Sequence, residues 1–212
     1  MRTRNNIGSL AESEGQASDK YHKILEAGIK VFAKKGFHNA KVSEIAREAG
    51  VADGTIYIYF KSKDEILIRV FEESLGEIIR NFRAELAPEK DAIAKIRKFI
   101  WMHLELMEKK EALAEVVQVE LRQSNKFMKE YEPKHFFEYL DLIAEIVKEG
   151  QAAGLIRTEV TPDIFKRALF GALDEISLHW VLRNRNRSYL ETSAAQLGEI
   201  FLKGIVKEGI KI

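Results

Sequence analysis

Along this chain the apolar positions recur mostly three and four apart, and the pattern is tightest between Lys41 and Leu67. Val42, Ile45, Ala46 and Ala49 fall at helical spacing, and Gly50 follows where a left-handed residue is cheap, which predicts a short helix with a defined stop. Val51 then plugs inward, and a second helix is predicted from Asp53 to about Tyr59. A helix that short is unstable alone, so neighbours must hold it. Its outward side carries Thr55, Tyr57 and Tyr59. Ser62 and Glu65 make the S-x-x-E pattern of a capping box, which starts a third helix at a set angle. Two short helices with a glycine at the turn make a helix-turn-helix, whose second helix enters the DNA major groove.

The same reading extends over the rest of the chain. Residues 1–17 are Ser, Gly, Asn and Glu rich without periodicity and are expected to form a flexible tail, in which Arg2 and Arg4 are placed to touch phosphate or the minor groove. Helix one is expected from a cap at Ser18 or Asp19 to Lys35 and Gly36, with Phe37 inserted into a three-helix core. Helix four, Lys63 to about Ala87, ends before Pro88 and is long enough to act as a strut. Further helices are predicted over about 89–109, 111–123, 133–153, 161–183 and 188–207, with a weakly periodic stretch between Ser124 and Pro133. The expected fold is all-α with about nine helices: a tail over 1–17, a helix-turn-helix head over 18–62, and a helical ligand and dimer domain over 63–212.

Composition sharpens this picture in two respects. Charged residues make up 32% of the chain and prolines number three, which suits a nearly all-helical protein; zero cysteines exclude disulfides and thiolate metal sites. No run approaches the roughly 18–20 apolar residues of a membrane span, and Met1 to Gln16 lacks the apolar core of a signal peptide, so a cytoplasmic protein is expected. The net charge of +1 hides an asymmetry: 11 basic against 7 acidic residues up to Lys63, a balance of +4, leave 23 against 26 beyond it, a balance of −3. A basic front on a mildly acidic body suits a DNA-reading head on a body that must not bind DNA.

The run A-G-V-A-D-G-T-I-Y-I-Y-F-K-S-K-D-E-I-L closely resembles the DNA-binding signature of the TetR family of bacterial one-component regulators, with Tyr57, Phe60, Lys61 and Lys63 in register. The resemblance implies that Ser43, Gly54, Thr55, Tyr57, Tyr59 and Lys63 touch operator DNA, and Lys41, Asp53 and Lys61 complete the candidate surface. Hydroxyls and N–H groups near a helix start grip phosphate, and Thr55 can meet a thymine methyl. The recognition helix departs from a typical basic reader in carrying no Arg or Lys. Asp53 at its start can cap the helix, accept from a cytosine amine, or both, with the cap favoured. The ring of Tyr57 can equally be a packing group with only its hydroxyl at phosphate.

Two further stretches, V-E-L-R-Q-S-N (Val119 to Asn125) and F-G-A-L-D-E (Phe170 to Glu175), resemble the fatty-acid-degradation (FadR) repressors of that family. Those repressors leave DNA on binding long-chain acyl-CoA, so the resemblance implies an acyl-CoA effector and no catalytic cofactor. A buried acyl chain of a dozen methylenes offers on the order of 10 kcal/mol before ordering costs, provided an apolar tunnel receives it. The candidate lining is Phe71, Phe82, Trp101, His103, Leu104, Met107, Leu121, Phe137, Leu140, Phe170 and Asp174, with Arg122 foremost among the cations for the CoA phosphates. For any one of these residues plain core is the blander reading. A regulator of efflux answering to a cationic drug is the alternative, and it would want Asp174, Glu175 and Trp180 on a pocket wall.

An enzyme reading finds little support. Glu132 and His135 are spaced E-x-x-H, but a di-iron site needs two such pairs and the second is absent. No G-x-S-x-G, phosphate-cradling glycine loop or cysteine nucleophile occurs, and no metal site is expected. In the resembled family the last two helices pair with their copies into a homodimer. Phe170, Ile176, His179, Trp180, Leu197, Ile200, Phe201 and Ile205 supply the apolar surface for it here, so that two heads read a palindrome. A ligand wedged between helices would then tilt helix four and change the spacing of the heads.

Overall fold

The computed structural model describes residues 5–210, and its architecture is all-helical as expected. Ten α-helices occur among the described residues: α1 Asn5–Lys35, α2 Val42–Ala49, α3 Asp53–Tyr59, α4 Lys63–Leu86, α5 Ala92–Lys109, α6 Glu111–Glu115, α7 Asn125–Glu130, α8 Lys134–Ala152, α9 Pro162–His179 and α10 Arg187–Ile205. Among the described residues the β pairing amounts to an isolated antiparallel bridge between Ile156 and Val206.

Three boundaries differ from expectation. First, α1 starts at Asn5 rather than at Ser18 or Asp19, so the stretch read as a tail is helical over most of its length. The chain contains no proline before Pro88, and adding a residue to an existing helix is far easier than nucleating one. Arg2 and Arg4 lie outside the described residues. Second, the helix expected over 111–123 is straight only through Glu115, widens into a π turn over Val116–Glu120 and tightens into a 3₁₀ turn over Leu121–Gln123. Third, the weakly periodic stretch forms a short helix, α7, with the Ser124 hydroxyl accepting the Phe127 N–H at 3.2 Å as its N-cap.

The chain divides into two compact units. The first runs through Phe71 and is completed by Glu120–Tyr131; the second comprises Glu72–Val119 and Glu132–Ile212. The expected boundary at 62/63 marks the start of α4, but the first unit takes in the first two turns of that helix as well. Its core is Ile24, Phe32, Phe37, Ile45, Ile56, Phe60, Ile66 and Leu67, all buried. Gly28 lets α1 approach α4, since a Cβ there would meet Ile66 Cγ2 at 3.0 Å. In the second unit α5 packs on α8, α9 and α10. Gly150 on α8 is required for packing: a Cβ there would meet Ile156 Cδ1 at 2.5 Å and Ala92 Cβ at 2.8 Å.

Candidate functional site

The helix-turn-helix forms as its turn residues dictate. Gly50 takes the left-handed conformation (φ 68°) that closes α2, and the Val51 N–H donates to Ala46 O at 3.0 Å, so the turn satisfies carbonyls that a helix end leaves open. At the start of α4 the Glu65 N–H donates to Ser62 Oγ at 3.2 Å, while Glu65 Oε2 accepts from the Lys61 N–H at 2.7 Å. The α3 helix is clamped from behind by Ile56 and Phe60, and Tyr21 of α1 stacks on Phe60 with ring centroids 5.2 Å apart.

The expected DNA residues separate into two groups. Lys41, Ser43, Asp53, Gly54, Tyr57 and Lys61 are exposed, and Thr55 and Tyr59 are half-buried at the edge of the same surface. Tyr57 is 61% exposed, which answers the question of its ring: it is not a core group. Asp53 does not cap α3; Ala52 occupies the N-cap position and no side-chain cap bond forms, leaving the Asp53 carboxylate on the outer face of the first turn. Lys63 stands apart from the rest. Its ammonium is a bolt inside the head, donating to the Phe37, His38 and Ala40 carbonyls and lying 4.6 Å from the centre of the Phe37 ring. Three donors meet three carbonyls of one turn, so the charge that reads from sequence as a phosphate contact is used to close the α1–α2 connection.

Glu120 holds the other side of that connection. Its side chain is buried and accepts the Phe37 N–H and, at 3.2 Å, the Gln123 side-chain amide. Ser124 hydroxyl donates to Asp64 Oδ1 at 2.7 Å, and Phe127 meets Phe71 edge-on at 5.3 Å. Residues 120–131 thus belong to the DNA-reading unit although the chain on both sides of them belongs to the other. Sequence reasoning did not place Glu120 in the head. Its signal was available: a carboxylate in the apolar run Val116 to Leu121 must find a partner if the run is buried.

The interior of the second unit is aromatic with a polar thread. Phe82 of α4 contacts Phe99 of α5 at 5.1 Å and Tyr139 of α8 at 5.5 Å, and Phe99 and Tyr139 lie 5.3 Å apart. His103 Nδ1 is 2.7 Å from the Tyr139 hydroxyl, and its Nε2 is 3.4 Å from Ser177 Oγ. Burial holds the His103 imidazolium down to a pKa of about 4, only partly offset by the Asp174 charge, and burial pushes the Tyr139 phenol well up. A neutral imidazole has one N–H, so it donates to one of these hydroxyls and accepts from the other. Phe170 and Phe136 close the cluster, with Phe170 edge-on to His103 at 6.2 Å.

Of the expected effector lining, Phe82, His103, Leu140 and Phe170 lie in or beside this interior, joined by Phe136 and by Tyr139, Ser177 and Phe99, which the sequence did not single out. Phe71, Leu121 and Arg122 belong instead to the head unit. Trp101 is exposed in a surface cleft of about 420 Å³ between α5 and α10, and Phe137 is exposed on α8. Leu104 is buried, Met107 half-buried, and Asp174 stands near His103. Two arginines near the start of α10 have acidic partners: Arg185 pairs with Glu111 and Glu115, and Arg187 with Glu108 and Glu191. His135 forms no di-iron pair: its Nδ1 is 2.6 Å from Glu72 Oε2, and among the described residues no three His, Asp or Glu converge as metal ligands.

The residues expected at the dimer surface need a larger correction. Trp180 is 1% exposed and donates its indole N–H to Asn186 O at 3.1 Å; Leu197 and Ile205 are buried; and Phe170 turns toward His103. Leu197 and Ile205 are core of the single chain because α10 packs one apolar face on α5, Trp180 is sealed in the turn after α9, and Phe170 is half-buried. Ile176 is half-buried, Phe201 packs edge-on to Phe165 at 5.7 Å, and His179 is exposed beside Tyr189. The apolar groups that α9 and α10 do leave in solvent are Ile164, Ile200 and, in the turn after α9, Leu182.

Residues 24–70 match the family of bacterial regulatory proteins called the tetR family, and residues 71–204 match the C-terminal region of YsiA-like proteins. The two matches meet within a residue of the division between the compact units. The chain is 35% identical over 190 residues to the fatty acid metabolism regulator protein of Bacillus subtilis, covering 90% of this chain and 97% of that protein. The crystal structure of the transcriptional regulator FadR from Bacillus subtilis in complex with stearoyl-CoA superposes with a TM-score of 0.81 at 34% identity, over 87% of this chain and 99% of that one. The fatty acid degradation regulator FadR from Bacillus halodurans gives the same score and identity, over 87% of this chain and 95% of its own. Likeness at this level through nearly the whole length of a regulator leaves no room for a borrowed helix-turn-helix alone, and the chain belongs to the TetR family of bacterial regulatory proteins.

Proposed function

We propose that this chain is a transcriptional repressor that binds operator DNA through α2 and α3 and is released by a long-chain acyl-CoA, so that genes of fatty-acid degradation are expressed when their substrate is present. The observation that carries this reading is identity of 34–35% across almost the full length of fatty acid regulators, one of them in complex with stearoyl-CoA. No helix among the described residues is long and apolar enough to cross a membrane, and the protein works in the cytoplasm, where its DNA is. The drug-responsive reading loses its main aromatic group, because Trp180 is sealed in the core rather than on a pocket wall.

Two copies act together. Ile200, 64% exposed on α10, and Ile164 on α9 are the apolar groups offered to a second copy, and a two-fold dimer sets two α3 helices one DNA turn apart on a palindrome. Ile200→Asp therefore yields monomers in sedimentation with operator affinity lowered by at least about tenfold, since each head alone keeps only its own contacts. Dimers retained at micromolar concentration would sink this assignment. Release needs a path from effector to head. The chain passes from the second unit into the head at Val119/Glu120, so a rearrangement of the π turn over Val116–Glu120 reaches the Glu120 carboxylate and the turn it holds. Ligand and operator then oppose each other by about 1–3 kcal/mol per site.

The decisive experiment titrates the full-length protein with lauroyl-, palmitoyl- and oleoyl-CoA while following melting temperature and binding to its own promoter. The expected result is a rise in Tm together with loss of DNA binding. DNA binding that persists at saturating acyl-CoA, with Tm unmoved, discards the acyl-CoA effector and keeps the family.

A further inference from the structure

The outer face of α3 has a composition that the proposed function leaves unexplained. Taken at 100° per residue, the exposed arc of the helix is formed by Asp53, Tyr57, Gly54 and Ile58, while Ile56 points the opposite way into the core. Ile58 is 77% exposed, more than any other large apolar side chain among the described residues. Leaving an isoleucine in water contributes nothing to the fold, and no Lys or Arg of this helix shares its face. Gly54 lies one turn before it. A Cβ at Gly54 would meet nothing within 4 Å, so the fold does not require glycine there, and glycine in a helix costs about 0.5–1 kcal/mol relative to alanine. The gap is therefore a place where α3 can approach another surface closely, with an aliphatic group beside it.

Resting on the DNA-binding reading above, we propose that Ile58 is a specificity-determining residue that reads the 5-methyl group of thymine in the major groove. The chemistry selects this feature. An isoleucine cannot hydrogen-bond to phosphate or to a base edge, and the thymine methyl is the apolar group that the major groove presents. Gly54 removes the side chain that would hold the helix off the base pairs, and Tyr57, on the same arc, has a hydroxyl for the flanking phosphate. The operator accordingly carries a thymine under α3 in each half-site, and discrimination at that position depends on the methyl rather than on hydrogen bonds.

The test uses the full-length protein and duplexes selected from random-sequence DNA, in which each thymine is then replaced singly by deoxyuridine, removing the methyl and nothing else. Wild type loses about four-fold in affinity at one thymine per half-site, the value of one buried methyl group. Ile58→Ala binds the thymine duplex no better than wild type binds the deoxyuridine duplex and is indifferent to the replacement, whereas Ile58→Val keeps the sensitivity. Because Ile58 is exposed, both variants fold, which circular dichroism verifies. A wild type indifferent to every replacement, or an Ile58→Ala variant as methyl-sensitive as wild type, overturns the proposal. Failure to select any preferred duplex is a different result: it overturns the regulator reading and this assignment with it.

Discussion

Truncating Phe82 to alanine is expected to remove about 3–5 kcal/mol of stability, a fall in Tm on the order of 10 °C for a chain of this size. Phe82 is 1% exposed, and its ring is the point where three helices meet: it lies edge-on to Phe99 of α5 and to Tyr139 of α8 while its backbone belongs to α4. Removing it leaves a cavity among rings already constrained by one another, and cores of this density relax only in part. It also strips packing from Tyr139, whose hydroxyl holds His103. Phe137→Ala, on the same helix as Tyr139 but exposed, is the matched control and changes stability by less than about 0.5 kcal/mol. A urea titration of both variants measures the contrast. Equal small losses would mean that the aromatic cluster is not the centre of the second unit.

Lowering the pH from 6.5 to 4 is expected to cost roughly 3 kcal/mol through His103 alone. The unfolded chain takes up a proton at an ordinary imidazole pKa of about 6.5, whereas the folded imidazole, sealed from water, resists protonation until about 4. Between those values the unfolded state binds more protons, so stability falls as pH falls; well above pH 6.5 both states are neutral and this group adds no pH dependence. His103→Gln keeps a donor and an acceptor for Tyr139 and Ser177 but cannot titrate, so its stability curve is flatter over the same interval. Wild type and variant with parallel curves between pH 6.5 and 4.5 would show that His103 is not held neutral. The carboxylates contribute equally to both and cancel in the comparison.

Much of the head was legible because short-range rules decide it. Gly50 stops α2, and Ser62 and Glu65 start α4. Lys63 and Glu120 were not legible as partners of the same turn, since nothing in local sequence places residue 120 beside residue 37. Part of the expected dimer surface, Trp180, Leu197 and Ile205, was misread for a different physical reason. Helical spacing finds the strongest apolar stripe of α10, but that stripe, with Leu197 and Ile205, is consumed by the chain's own core. Periodicity reports that a face is apolar and is silent on whether its cover comes from the same chain or from another copy. The effector lining suffered likewise: Trp101 and Phe82 both lie on helices with broad apolar faces, yet one is on the surface and the other at the centre.

The reading head is not a contiguous peptide. Because the chain enters that unit twice, a fragment ending at Phe71 would lack residues 120–131, leaving the Phe37 amide without the Glu120 carboxylate and one face of Phe71 without Phe127. Excision would thus expose an unsatisfied donor and an apolar ring together, and the fragment would fray first at the α1–α2 turn that α2 and α3 lean on. A self-sufficient miniature of this head has to carry the 120–131 segment in trans or as a graft, which makes the regulator divisible by protein engineering only along a line that its gene does not draw.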